Sequence, residues 1–112
     1  MAFNATLEKT DNLAKINLTG ELDASTAPDF KAKVEEAAAS NPKRLVLLMK
    51  DLEYMASAGL RVLIFAKQKM GSDVDIYVVE PQAMVMDTIE KTGFHHSVIV
   101  LDTYDAAQIE NV

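Results

Sequence analysis

The chain has no cysteine among its 112 residues, and that absence removes several chemistries at once. Disulfides, thiolate nucleophiles, iron–sulfur clusters and cysteine-ligated zinc are all excluded. Tryptophan is absent too, and three tyrosines are too few for the aromatic platform on which single-stranded nucleic acids stack. Positive charge is scarce. Eleven Lys and Arg against 17 Asp and Glu give a formal charge of −6, and the longest basic run is the pair Lys43-Arg44. A nucleic-acid backbone and an anionic membrane surface both call for clustered cations, so no nucleic acid and no membrane are expected as partners. No apolar run approaches the roughly 18–20 residues of a membrane span. The first residues, Met-Ala-Phe-Asn-Ala-Thr-Leu-Glu-Lys, have neither the basic segment nor the apolar core of a signal peptide. The expectation is a soluble, cytoplasmic protein.

What is present has the make-up of a folded domain, 49% hydrophobic and 25% charged, at a length typical of one domain. Four glycines and three prolines punctuate it. Alternation over 3–8 and 13–19 predicts two strands joined by the turn Lys9-Thr10-Asp11-Asn12, with Gly20 ending the second. Ser25 and Thr26 are N-cap types, and Pro28 and Asp29 suit a first helical turn. The helix they open buries Ala27, Phe30, Val34, Ala37 and Ala38 and stops at Asn41-Pro42. Leu45-Val46-Leu47-Leu48-Met49 is a continuous apolar run, the mark of a central strand covered on both faces. Asp51 to Ala56 reads as a short loop. A helix from Ser57 to Met70 follows, closed by Gly71. Then come a strand over Ile76–Val79, a helix over Ala83–Thr92 that buries Met84, Val85, Thr88 and Ile89, a strand over Val98–Leu101 and a short acidic helix, Tyr104–Ile109. The order ββαβαβαβα predicts a single α/β domain with a mixed, mostly parallel sheet and right-handed crossovers.

Sites in such sheets gather where strand ends meet helix starts, and Ser57 occupies one of these places. Its blandest role is an N-cap, which stabilises a helix by about 1 kcal/mol. A nucleophilic serine is excluded by Met55, which stands where the nucleophile elbow requires glycine. His95 and His96 are adjacent, a spacing that suits a metal on neither a strand nor a helix. Gly20, Gly59, Gly71 and Gly93 never cluster into a phosphate-cradling loop. No enzyme, no cofactor and no metal are expected.

Two segments resemble a known family. Gly20-Glu21-Leu22-Asp23, followed by a capped helix, resembles the G-x-L-D motif of STAS domains. Asp51-Leu52-Glu53-Tyr54-Met55-Ala56-Ser57-Ala58-Gly59-Leu60-Arg61-Val62-Leu63 resembles that family's second signature. Their spacing and the order of elements agree along essentially the whole chain, residues 1–112, and the stand-alone members are bacterial anti-sigma factor antagonists. The resemblance implies helices largely on one side of the sheet. It also implies a partner-switching phosphoprotein that regulates transcription. In its unphosphorylated form it binds an anti-sigma factor with serine-kinase activity and frees the sigma factor. Phosphorylation on Ser57 ends binding, and a PP2C-type phosphatase restores it. Matched position by position, Ser57 is the phosphoacceptor and Asp23 the acidic residue beside it, while Glu21, Met55, Ala58, Gly59 and Leu60 belong to the partner-binding segments. Ala56 departs from the Asp or Ser usual at its position. The resemblance also admits the same phosphoswitch in another partner-switching circuit, or a nucleotide- or lipid-sensing module.

Overall fold

A computed structural model describes residues 2–111. Its strands are β1 (Asn4–Lys9), β2 (Leu13–Leu22), β3 (Arg44–Met55), β4 (Asp75–Val79) and β5 (Ile99–Leu101). They form one five-stranded sheet in sequence order, with β1 antiparallel to β2 and every other neighbour parallel. The helices are α1 (Ala27–Ala39), α2 (Ser57–Met70), α3 (Ala83–Glu90) and α4 (Ala106–Ile109), with a 3-10 turn at Phe94–Ser97 before β5. The expected ββαβαβαβα order is present.

Side-chain alternation decides the layers. Ala14, Ile16 and Leu18 of β2, Leu45, Leu47 and Met49 of β3, and Ile76 and Val78 of β4 share a core with Phe30, Val34 and Ala37 of α1, Leu60, Leu63 and Ala66 of α2, and Val85 and Ile89 of α3. Intervening residues Leu13, Val46, Tyr77 and Val79 point the other way and pack around Ile109 of α4. Three helices therefore cover one face and the one-turn α4 covers part of the other. The unbroken apolar run in β3 follows directly, because that strand is covered on both sides. α4 is held in place by polar contacts. The Arg44 guanidinium donates to the carbonyls of Gln108 and of Ile109, the latter at 3.0 Å, and Lys15 pairs with Glu110 at 3.3 Å.

The strands run further than the sequence pattern suggests. β2 passes through Gly20 to Leu22, and β3 continues to Met55 where a loop over 51–56 was expected. Two register shifts between β2 and β3, at Asn17/Thr19 and Gly20/Glu21, account for this. Each inserts an extra residue in β3 and flips the side-chain alternation, so Leu52, between the two shifts, is buried out of phase with Leu47 and Met49, and Met55, after the second, is back in phase with them. Gly20 takes φ +83°, and a Cβ there would collide with the carbonyl of Ala2, so only glycine carries the strand past that point. α3 ends at Glu90, before the expected Thr92, and α4 begins at Ala106. Met84 is 51% exposed, not buried, because Val85 and Ile89 alone make the inward stripe of the short α3.

Ile109 is fully buried and is the apolar side chain of α4 that seals the second face. Ile109→Ala is expected to lower the unfolding free energy by about 2–4 kcal/mol, read from the urea midpoint at unchanged slope.

Candidate functional site

Parallel strands end at the same edge of a sheet, so the segment after β2 and the start of α2 are brought together by topology. Leu22 pairs with Met55, and the Ala56 amide donates to the Leu22 carbonyl at 2.8 Å. The first turn of α2 then lies directly on Leu22. A Cβ built on Gly59 would stand 2.7 Å from both Cγ and Cδ2 of that leucine and 3.1 Å from Cγ of Met55. Gly59 is needed here for a close approach of backbone to side chain.

The residue that caps α2 is Ala56, with φ −83° and ψ 172°, and it offers no side-chain hydrogen bond. Ser57 is the first helical residue and not the N-cap, because the extended β3 conformation persists one residue further than expected. Its side chain is exposed, and its hydroxyl makes no hydrogen bond among the described residues. Of the first-turn amides of α2, that of Gly59 donates to the Ala56 carbonyl at 3.0 Å, while among the described residues those of Ser57 and Ala58 have no backbone acceptor and no side-chain cap.

Asp23 follows Leu22 and organises its own turn. Its Oδ1 accepts from the Ser25 amide at 2.9 Å, the Ser25 hydroxyl at 2.7 Å and the Thr26 amide at 3.2 Å. The Thr26 hydroxyl lies 3.3 Å from the same oxygen and 3.1 Å from the Glu21 carbonyl, to which it donates. The Ser25 hydroxyl above all, against the opposing effect of burial and helped by the two amides and the Thr26 hydroxyl, holds the Asp23 carboxyl below the usual aspartate range. Among the described residues Asp23 makes no hydrogen bond to Ser57. The two are neighbours through the Leu22–Ala56 bond and not through their side chains.

Of the other sequence-designated residues, Glu21 is exposed, Ala58 is half-buried, and Met55, Gly59 and Leu60 are buried. Met55 and Gly59 thus shape the surface from beneath. A groove runs from Tyr54, Ala56, Ser57 and Leu60 to the facing side of α3, where Met84, Thr88 and Lys91 line it. The Thr88 hydroxyl donates to the Met55 carbonyl at 3.2 Å and ties α3 to the end of β3. The α3 wall was missed by sequence reasoning. Its signal was there, since Met84, Thr88 and Lys91 recur at i, i+4 and i+7 on the stripe beside Val85 and Ile89. Among the described residues no three His, Asp or Glu stand together as metal ligands, and no helix is long and apolar enough to cross a membrane.

The family model for the STAS domain matches residues 4–107. The anti-sigma-F factor antagonist RsfB of Mycobacterium tuberculosis is 27% identical over 92 residues, covering 82% of this chain and 75% of the relative. Among solved structures, an anti-sigma factor antagonist from Mycobacterium paratuberculosis superposes with a TM-score of 0.88 at 23% identity, covering 98% and 96% of the two chains. The Bacillus cell fate determinant SpoIIAA in its phosphorylated form superposes with a TM-score of 0.71 at 17% identity, covering 97% of each chain. These likenesses establish the fold.

Gly59→Ala gains about 1 kcal/mol of helix propensity but overpacks a buried leucine, which costs about 1–3 kcal/mol. A net loss of about 1 kcal/mol is expected. Leu22→Ala in the same chain should make the Gly59→Ala change less costly, which a double-mutant cycle in urea measures. The depressed carboxyl of Asp23 contributes stability above its unfolded pKa, lost as pH falls through its folded value. Asp23→Asn keeps an Oδ1 acceptor and loses the charge. Its melting temperature should lie slightly below the wild type at neutral pH and converge with it on acidification from about pH 5 to about pH 2.

Proposed function

Because the chain belongs to the STAS domain family, we propose that it is an anti-sigma factor antagonist whose binding is switched by phosphorylation of Ser57. The observation that carries this reading is the state of that serine. It is exposed on the first turn of α2, its hydroxyl makes no hydrogen bond among the described residues, and it opens onto a groove lined partly by apolar side chains. RsfB, which resembles this chain over most of its length, bears the name of an anti-sigma-F factor antagonist, and SpoIIAA has been solved in both unphosphorylated and phosphorylated forms.

In this reading the unmodified protein binds an anti-sigma factor through the surface around Ser57, Ala58, Leu60 and Met84, which leaves the sigma factor free. The anti-sigma factor is also an ATP-dependent serine kinase. The Ser57 Oγ attacks the γ-phosphorus, the bond to the β,γ-bridging oxygen breaks, ADP leaves, and the hydroxyl proton passes to a base on the kinase. This chain supplies only the acceptor, so it is a binding regulator and not an enzyme.

The product carries about −1.5 to −2 charge where a neutral hydroxyl stood. The helix N-terminus tolerates an anion, so the fold survives. A partner packed over the groove would have to desolvate that charge without a matching cation. Burying an unpaired charge costs several kcal/mol, enough to weaken binding about a thousandfold. An exposed phosphoserine is also within reach of a PP2C-type phosphatase, which would return the protein to its binding form.

Ser57→Ala and Ser57→Asp separate this account from a purely structural one. Neither variant removes core volume or a cap, so both should unfold within about 0.5 kcal/mol of wild type. Incubated with ATP and the cognate anti-sigma kinase, the wild-type chain is expected to gain one phosphate on Ser57. Ser57→Ala should gain none and stay bound, and Ser57→Asp should bind at least about tenfold more weakly. Phosphate mapped to another residue, or a Ser57→Asp variant that binds like wild type, would remove the assignment.

A further inference from the structure

An acidic protein that accepts a phosphate must place that new charge among charges of its own. Around Ser57 two cations stand ready. Arg61 lies four residues along α2, a rotation of about 40° and a rise of about 6 Å from Ser57, and helical side chains lean toward the N-terminus. Arg61 therefore shares the exposed face of α2 with the serine, one turn on, within reach of a group attached to its hydroxyl. Leu60, rotated about 60° the other way, faces the groove, so Arg61 flanks Ser57 on the side away from α3. Lys91 lines the same groove as Ser57 from the α3 side. Both cations are exposed, and neither side chain makes an ion pair or a hydrogen bond among the described residues. Lys91 is unpaired even though Asp87 sits one turn away on the same helix and on the same groove wall. Asp87 lines the same groove, and Asp23, beyond Leu22, has a carboxylate already occupied by its own turn.

We infer that Arg61 and Lys91 are the intramolecular counter-charges of the modified serine, holding its phosphate between them at the mouth of the groove. This rests on the reading of Ser57 as the phosphoacceptor. Arg61 supplies an i,i+4 pair in the favourable order, anion N-terminal to cation, with a planar donor fork suited to phosphate oxygens. Lys91 supplies a mobile point charge from across the groove. The phosphate is then drawn over the surface that a partner must cover, which makes one modification block more area than a freely rotating group would.

The test uses phosphoserine installed at position 57 by genetic encoding, so it does not depend on any kinase. Phosphorus NMR follows the second ionisation of the phosphoserine against pH at an ionic strength of about 0.1 M. Arg61→Gln and Lys91→Gln should each raise that pKa by roughly 0.3 unit, and the double variant by roughly twice as much. Arg61→Lys should keep most of the wild-type value. Lys69→Gln removes an equal charge about 18 Å further along α2, beyond a Debye length of about 10 Å, and should leave the titration unchanged. Identical titrations in wild type, Arg61→Gln and Lys91→Gln would overturn the inference while leaving Ser57 as the acceptor. A shift with Lys69→Gln as large as with Arg61→Gln would also overturn it, as a net-charge effect. Failure of Ser57 as the kinase target appears separately, in the phosphate mapping, and leaves this titration untouched.

Discussion

The site depends on one close approach, the seating of Gly59 on Leu22. Gly59 has no Cβ, so the backbone of the first turn of α2 comes down onto the side chain of the last residue of β2. The Ala56–Leu22 backbone bond acts at the same place and sets where β3 stops and the helix begins. These contacts decide which residue occupies the first helical position and therefore which hydroxyl is presented. Shifting the helix start by one residue would rotate Ser57 by about 100° and carry it off the groove. Packing between one glycine and one leucine thus reaches the chemistry of the surface.

Around that constraint the fold separates stability from signalling. Asp23 spends its carboxylate on the turn that leads into α1, and Thr88 ties α3 to the end of β3. Ser57 takes part in neither. Its hydroxyl contributes no bond that phosphorylation would break, and the uncovered amides at the start of α2 favour an anion. On the proposed reading, phosphorylation of Ser57 alters what the surface binds without altering what holds the domain together. Met55 illustrates the same division. It lies in the sequence segment most suggestive of a partner contact, yet it is buried and acts by supporting the groove floor.

Much of this was legible in the chain, for physical reasons. The apolar run Leu45–Met49 announced a strand covered on both faces because β3 is packed between α1–α3 and α4. The N-terminal hairpin, the start of α2 and its stop at Gly71 followed from turn chemistry and helix signals. The extension of β3 was hidden because two bulges reverse the alternation, and Lys50-Asp51 then resembles the start of a loop. Ser57 suggested a cap because serine is a preferred capping residue, but the strand geometry carried that position to Ala56, which no propensity would choose. Met84 looked buried in a helix read as ending at Thr92. In the shorter α3 a two-residue stripe suffices, and Met84 is left on the groove. No local signal marked Gly59 as the seat on Leu22, since that contact joins residues far apart in the chain.

The central claim is that phosphorylation rewrites a surface and leaves the fold unchanged. Its most direct test is the amide NMR spectrum of the chain with and without phosphate on Ser57, recorded with hydrogen-exchange protection of the sheet. The account predicts shifts confined to the end of β2 and its turn, the first turns of α2, and the facing side of α3, with unchanged protection in β2, β3 and β4. Shifts spread across the sheet, or lost protection in the strands, would show that the phosphate acts by refolding the domain and would contradict the account.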